Sequence, residues 1–162
     1  MKQKRRVSLI GMLVVMISAM LLASCASVQT RQYGVTGNDT IAINLTRDPN
    51  VGPVLITHIN GEATGAEVSK VFLGIGAKTI FVTPCYVKLT GKPIVLTVQC
   101  PVSELTSLGV RVVYKTTELR LTKLADVKPG DVFTLRWMYQ TQTFAFIDAT
   151  GNIIEQVIPT FY

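Results

Sequence analysis

"VFTLRWMYQTQTFAFIDATGNIIEQVI", residues 132–158, decides how this chain folds. Its first nine residues alternate. Phe133, Leu135, Trp137 and Tyr139 fall on one side, and Thr134, Arg136, Met138 and Gln140 on the other. A period of two marks a strand with one buried face, because successive side chains on a strand point to opposite faces. "TFAFIDA" (143–149) and "IIEQVI" (153–158) flank "TGN" and read as a closing hairpin.

The same signals recur going back along the chain. "VKPGD" (127–131) is a turn, and "VRVVYKTTELRLTKL" (110–124) holds one long or two short strands. "SELTSLG" (103–109) is the one place that suits a short helical turn, with Ser103 as its cap and Gly109 as its stop. "TIFVTPCYVKL" (79–89) and "IVLTVQC" (94–100) read as strands of a hairpin joined by "TGKP". Further strand candidates are "EVSKVFLGI" (67–75), "VLITHI" (54–59) and "TIAINL" (40–45). "NGEATG" (60–65) and "DPNVGP" (48–53) are turns between them, and Asn60-Gly61 is a strong hairpin dipeptide. Short strands every 8–12 residues, split by Gly, Pro, Asn and Asp, predict an all-β domain over 41–162. The expected form is an antiparallel β-sandwich of about seven to nine short strands.

The start of the chain has a different character. Lys2, Lys4, Arg5 and Arg6 precede an uncharged apolar run from Val7 to Ser24. A basic start, an apolar stretch and small residues at its end are the parts of a secretory signal peptide, expected as a helix over 1–24 and removed on export. Leu22-Ala23-Ser24-Cys25 resembles the lipobox of bacterial lipoproteins. That resemblance implies cleavage before Cys25, transfer of a diacylglycerol to its thiol and acylation, typically with palmitate, of its amine. Multiple acyl chains supply the two signals that stable anchoring needs. Two alternatives stand beside it: an uncleaved membrane helix, for which the run is short, and ordinary cleavage after Ala23 or Ser24 that leaves Cys25 a plain thiol. Ala26 stands where an Asp would imply inner-membrane retention. In a Gram-negative cell the resemblance therefore implies the outer membrane, facing the periplasm. Residues 25–40, polar and without period, are expected to form a lipidated N-terminus and flexible tether.

The chain of 162 residues carries 16 basic and 10 acidic side chains, formally +6. Four of the basic residues lie in the signal and none of the acids do, so twelve face ten in the mature chain. Scattered charges of that balance do not make the basic face that nucleic acid needs. Apart from Cys25 there are two cysteines, Cys85 and Cys100. In a hairpin their opposite parity puts them on one face, opposite each other or one diagonal step apart. An oxidising compartment favours a disulfide between them, worth about 3 kcal/mol. The alternative is two reduced core thiols. Two cysteines and His58 lack the paired spacing of a zinc site, and no metal or cofactor is expected.

Catalytic motifs are missing. There is no Gly-x-Ser-x-Gly, His-Glu-x-x-His, P-loop or EF-hand pattern. "GIGAKT" (74–79) lacks the phosphate-loop spacing and reads as a turn between strands. His58, the single histidine, sits within a strand, and the acids Asp39, Asp48, Glu62, Glu67, Asp126, Asp131 and Asp148 fall mainly at turns. Of six Phe, five Tyr and one Trp, seven lie beyond residue 130. Core packing accounts for those that share a face with Leu135. The functional alternative is an aromatic strip of Trp137, Tyr139, Phe161 and Tyr162 that binds a partner. Phe161-Tyr162 resembles the terminal aromatic of outer-membrane barrels. However, several strands are shorter than a spanning barrel requires.

Asn60, Gly61, Gly76, Lys78, Gly130, Asp148 and Gly151 resemble the turn positions of PEGA-like and transthyretin-like bacterial β domains. Ile75, Thr79 and Asp131 depart from that pattern. The resemblance implies an immunoglobulin- or transthyretin-like sandwich and no particular activity. The expected function is a non-catalytic binding or scaffolding module whose strand edges or loops dock onto an envelope protein. The alternatives are an accessory lipoprotein of a secretion or conjugation machine, an inhibitor or immunity lipoprotein, and an envelope-polymer enzyme using His58 and a turn acid.

Overall fold

The computed structural model describes residues 27–46, 53–69, 78–107, 109–123 and 127–162. The expected signal helix, Cys25, most of the turn at 48–53 and the segment 70–77 lie outside them. The chain falls into two compact units, 1–29 with 68–79 and 30–67 with 80–162. Of the first, only 27–29, 68–69 and 78–79 are described, all in strand. Among the described residues the whole buried core belongs to the second.

The described residues are all β. The strands are β1 (Ser27–Tyr33), β2 (Thr40–Leu45), β3 (Leu55–Ile59), β4 (Glu62–Ala63), β5 (Glu67–Ser69) and β6 (Lys78–Lys88). They continue with β7 (Ile94–Thr106), β8 (Gly109–Leu121), β9 (Val132–Met138), β10 (Thr143–Ile147) and β11 (Ile153–Val157). That is eleven, against the expected seven to nine. No helix among them is long and apolar enough to cross a membrane. One sheet runs in the order β1-β6-β2-β9-β10-β11 and a second in the order β4-β3-β7-β8. β2–β6, β3–β4, β3–β7, β7–β8, β9–β10 and β10–β11 pair antiparallel, whereas β2 and β9 run parallel from Ala42↔Val132 to Leu45↔Leu135. The expectation of a purely antiparallel fold is corrected there.

Alternation puts the apolar set of each strand inward. Ile41 and Ile43 of β2, Phe133, Leu135 and Trp137 of β9, and Phe144 and Phe146 of β10 come from the larger sheet. They join Ile56 and Ile59 of β3, Leu96 and Val98 of β7, and Leu119 and Leu121 of β8 in one buried cluster. Two sheets thus share one core, which suits strands that are apolar on one face only. The β3–β4 hairpin turns at Asn60 and Gly61, whose φ values of 51° and 86° are both positive. That conformation is the one a two-residue hairpin loop demands, and Asn-Gly supplies it most easily.

β1 stands where a tether is expected. Apart from the half-buried Tyr33, its described side chains are exposed. Backbone pairing at a sheet edge leaves no apolar pattern in the sequence.

Two acids hold the C-terminal part together. Glu155 of β11 is buried. Its carboxylate accepts hydrogen bonds from Thr122 N at 3.1 Å, Thr122 Oγ1 at 3.1 Å and Lys123 N at 3.2 Å, tying β11 to the chain just beyond β8. Asp148 organises the β10–β11 turn. Its Oδ1 accepts from Thr150 Oγ1 at 2.7 Å, Thr150 N at 2.9 Å and Asn152 N at 2.8 Å. The Thr150 hydroxyl, followed by the Asn152 amide, holds this exposed carboxyl below the ordinary carboxylate range. Its contribution to stability is complete above the unfolded value, about 3.9. It is lost as the pH falls through the depressed folded value. We expect the difference in melting temperature between wild type and Asp148→Asn to be largest near neutrality and to shrink toward zero on acidification. A difference that does not change with pH excludes this role.

Candidate partner-binding surface

The aromatic strip expected from the sequence is largely interior. Trp137 is only 8% exposed, packs on Phe144 at 4.6 Å between ring centroids, and meets Phe161 edge-on at 6.1 Å. Its Nε1 is buried and has no hydrogen-bond partner among the described residues. Phe133 stacks on Phe146 at 4.8 Å. Tyr139 is half-buried and its hydroxyl hydrogen-bonds Ser103 Oγ. Phe161 is half-buried against the core, and of the four residues only Tyr162, 73% exposed, offers its ring to a partner. Burial excludes Trp137 from a contact surface, because β9 alternates and position 137 shares the inward face of Leu135.

The cysteine expectation is also corrected. Cys85 and Cys100 are free and fully buried. β6 pairs with β2 and β7 with β3 and β8, so the two cysteine strands belong to different sheets and form no hairpin. Cross-strand register therefore does not bring the sulfurs together. Cys85 Sγ instead donates to Val82 O at 3.5 Å. Burial pushes both thiols up to about 12, where the nucleophilic thiolate is scarce at neutral pH. We expect iodoacetamide to leave both unmodified in the native protein at pH 8 and to modify both in denaturant without reductant. Protection that survives denaturation and ends only on reduction indicates a disulfide instead.

The most exposed apolar surface lies on an element that sequence reading misses. Ser103–Thr106, expected in a helical turn, continue β7, and β8 returns from Gly109 in unbroken register from Thr106↔Gly109 to Ile94↔Leu121. Both strands have 13 residues. The inner half supplies core residues, and the outer half leaves Leu105 87%, Val110 70%, Val112 57% and Tyr114 37% exposed. Pairing of Leu105 with Val110, Ser103 with Val112 and Pro101 with Tyr114 puts these four side chains on one face. The alternation of "VRVVY" (110–114) signals a strand. The near-symmetry of Leu105 and Val110 about Thr106-Gly109 was the available sign of a hairpin tip.

β8 is also an edge of its sheet. Its inner part is partnered: Thr117 bridges Phe161 antiparallel, Tyr162 N donates to Thr116 O at 3.2 Å and Thr117 Oγ1 to Thr160 O at 2.9 Å. Residues 109–115 have no strand on that side among the described residues. Glu104 pairs with Lys115 at 2.7 Å, whereas Arg111 makes no ion pair among the described residues.

A cleft of about 560 Å³ lies elsewhere, beside Tyr33, Asp39, Glu62 and Lys88. Its groups satisfy one another: Tyr33 OH donates to Glu62 Oε2 at 3.0 Å and Lys88 pairs with Asp39 at 2.9 Å. His58 is half-buried, and its Nδ1 hydrogen-bonds the adjacent Thr57 hydroxyl at 3.2 Å. Among the described residues no three His, Cys, Asp or Glu side chains gather in a way that could hold a metal ion. No protein-family model matches the chain, and neither a curated protein nor a solved structure matches it.

Proposed function

We propose that this chain is a bacterial envelope lipoprotein, acylated at Cys25 and held at the periplasmic face of the outer membrane. Its β domain acts as a non-catalytic binding or scaffolding module for an envelope protein. The observation that carries the binding role is the β7–β8 hairpin, with four large apolar side chains exposed on one face. Monomeric soluble proteins seldom leave contiguous apolar surface without a use for it. The anchor rests on the basic start, the apolar run and Leu22-Ala23-Ser24-Cys25. The finer fold is a sandwich of the immunoglobulin or transthyretin kind, supported by two sheets around one core and modified by the parallel β2–β9 pair.

The intact mass of protein purified from its native membrane tests the anchor. The expected mass is that of residues 25–162 plus diacylglycerol and acyl chains. A chain that keeps residues 1–24, or carries no lipid, overturns it. A photo-crosslinker at Leu105 tests the binding role, with one at Ile153, exposed on β11, as control. An adduct with an envelope protein is expected at Leu105 alone, and equal yields or none at both overturn it.

A further inference from the structure

We infer that the outer half of β8 is an acceptor edge for an extended peptide of another envelope protein, in which apolar and acidic residues alternate. The inference rests on the binding-module reading above and names the partner's chemistry. Three observations point to it.

First, this edge already accepts extended backbone, at one isolated bridge between Thr117 and Phe161. Residues 160–162 lie antiparallel on Thr116 and Thr117. Second, the backbone beyond has no strand beside it among the described residues. Tyr162 N reaches Thr116 O, so Thr116 turns its polar groups outward, and alternation makes Tyr114, Val112 and Val110 do the same. Each of these three presents an N–H and a C=O to an added strand. Third, the side chains sort by face. Val110, Val112 and Tyr114 form an apolar row, while Arg111, Val113 and Lys115 alternate with them. Glu104, directly across from Arg111, is engaged by Lys115 at 2.7 Å, and Arg111 makes no ion pair among the described residues. An incoming strand therefore gains main-chain hydrogen bonds from the edge, contact with apolar side chains on one face and an ion pair with Arg111 on the other.

The same edge argues against the two other occupants of an apolar hairpin. Unpaired backbone groups are not tolerated in hydrocarbon, which disfavours insertion of the tip into a bilayer. A second copy centred on Val113 would set Arg111 against the partner copy's Lys115, a repulsive pairing.

The test uses full-length protein in detergent and fluorescent decapeptides that alternate valine with glutamate or valine with lysine. The glutamate peptide is expected to bind at least tenfold more tightly. Val112→Pro is expected to abolish binding, because it removes an outward N–H and leaves the β7 pairing intact. Arg111→Glu is expected to reverse the order of the two peptides. Equal binding of the peptides, or unchanged binding by Val112→Pro, overturns the inference. Should Val112→Pro fail to fold, hydrogen exchange in the wild type decides. The amides of Val110, Val112 and Tyr114 are expected to slow at least tenfold with the glutamate peptide, and no slowing overturns the inference. Concentration-dependent dimers that Val112→Pro dissolves assign the edge to a second copy. Quenching of a Tyr114→Trp variant by brominated lipid in vesicles assigns the hairpin to the bilayer. Either result also overturns the inference. An envelope partner crosslinked at a site away from β8 sinks the inference and leaves the binding-module reading standing. Absence of any envelope adduct sinks that reading, even where a peptide binds.

Discussion

Replacing Phe144 by alanine is expected to destabilise the chain by about 3–5 kcal/mol, the range for large-to-small changes at aromatic core positions. Phe144 is 1% exposed, lies directly across from Trp137 in the β9–β10 pair, and packs against its ring. Truncation removes the transfer gain of the ring and opens a cavity beside Trp137. It also ends an aromatic contact worth about 1 kcal/mol. Trp137 cannot swing in to fill the space without disturbing its edge-on contact with Phe161. Since the whole stability of a domain is about 5–15 kcal/mol, such a loss removes a large share of it. Urea unfolding followed by tryptophan fluorescence reads it directly. A loss below about 1 kcal/mol means that the core relaxes around the gap and that these rings are not tightly packed.

Replacing Glu155 by alanine is expected to lose about 2–4 kcal/mol. Here the loss is polar. Two backbone amides, those of Thr122 and Lys123, and the Thr122 hydroxyl all donate to one carboxylate. Taking it away relieves the burial of a charge but ends three charge-assisted bonds, and their loss wins because a hydrogen bond to a charged group is worth about 1.5–3 kcal/mol. Glu155→Gln keeps the shape and one acceptor oxygen, so a smaller loss is expected, about half. Equal losses in the two variants identify charge as the main contribution. No loss in either shows that water replaces the carboxylate. The readout is the urea midpoint, with an unchanged slope as the sign that the same surface unfolds.

Faces were more legible in the sequence than partners. Alternation at Phe133, Leu135 and Trp137 marked the inward side of β9, and Asn60-Gly61 marked a hairpin, because both signals are local. Which strands pair is a long-range matter. Strands β6 and β7 are consecutive in sequence, yet the chain between them passes from one sheet to the other. A period of two says which way Cys85 and Cys100 point and nothing about which backbone lies alongside. Within β6 the inward set even changes parity, from Ile80 and Val82 to Cys85 and Val87 across Thr83-Pro84. At 103–109, serine and glycine suit a helix cap and stop as well as they suit a strand reaching a tight turn. The fourth residue of the aromatic strip, Tyr162, is exposed as a binding residue must be. Trp137 and Tyr139 were drawn inward by the alternation that made them conspicuous, and Phe161 by packing against the core. The β8 edge was missed because an open edge is defined by a missing neighbour, which no residue type records.

The parallel pairing of β2 with β9 bears on how the molecule is made. Residues 42 and 132 must meet before the larger sheet can close, and about ninety residues separate them. Synthesis runs from the N-terminus, so β2 emerges long before the strand that completes it. Until then the backbone of β2 has only its antiparallel pairing with β6. Contacts of such long sequence separation are slow to form, because loop closure must be met before they contribute. Until β9 pairs, β2 keeps an open edge on that side, and unpaired strand edges favour aggregation. The larger sheet thus closes only once β9, late in the chain, is in place beside β2.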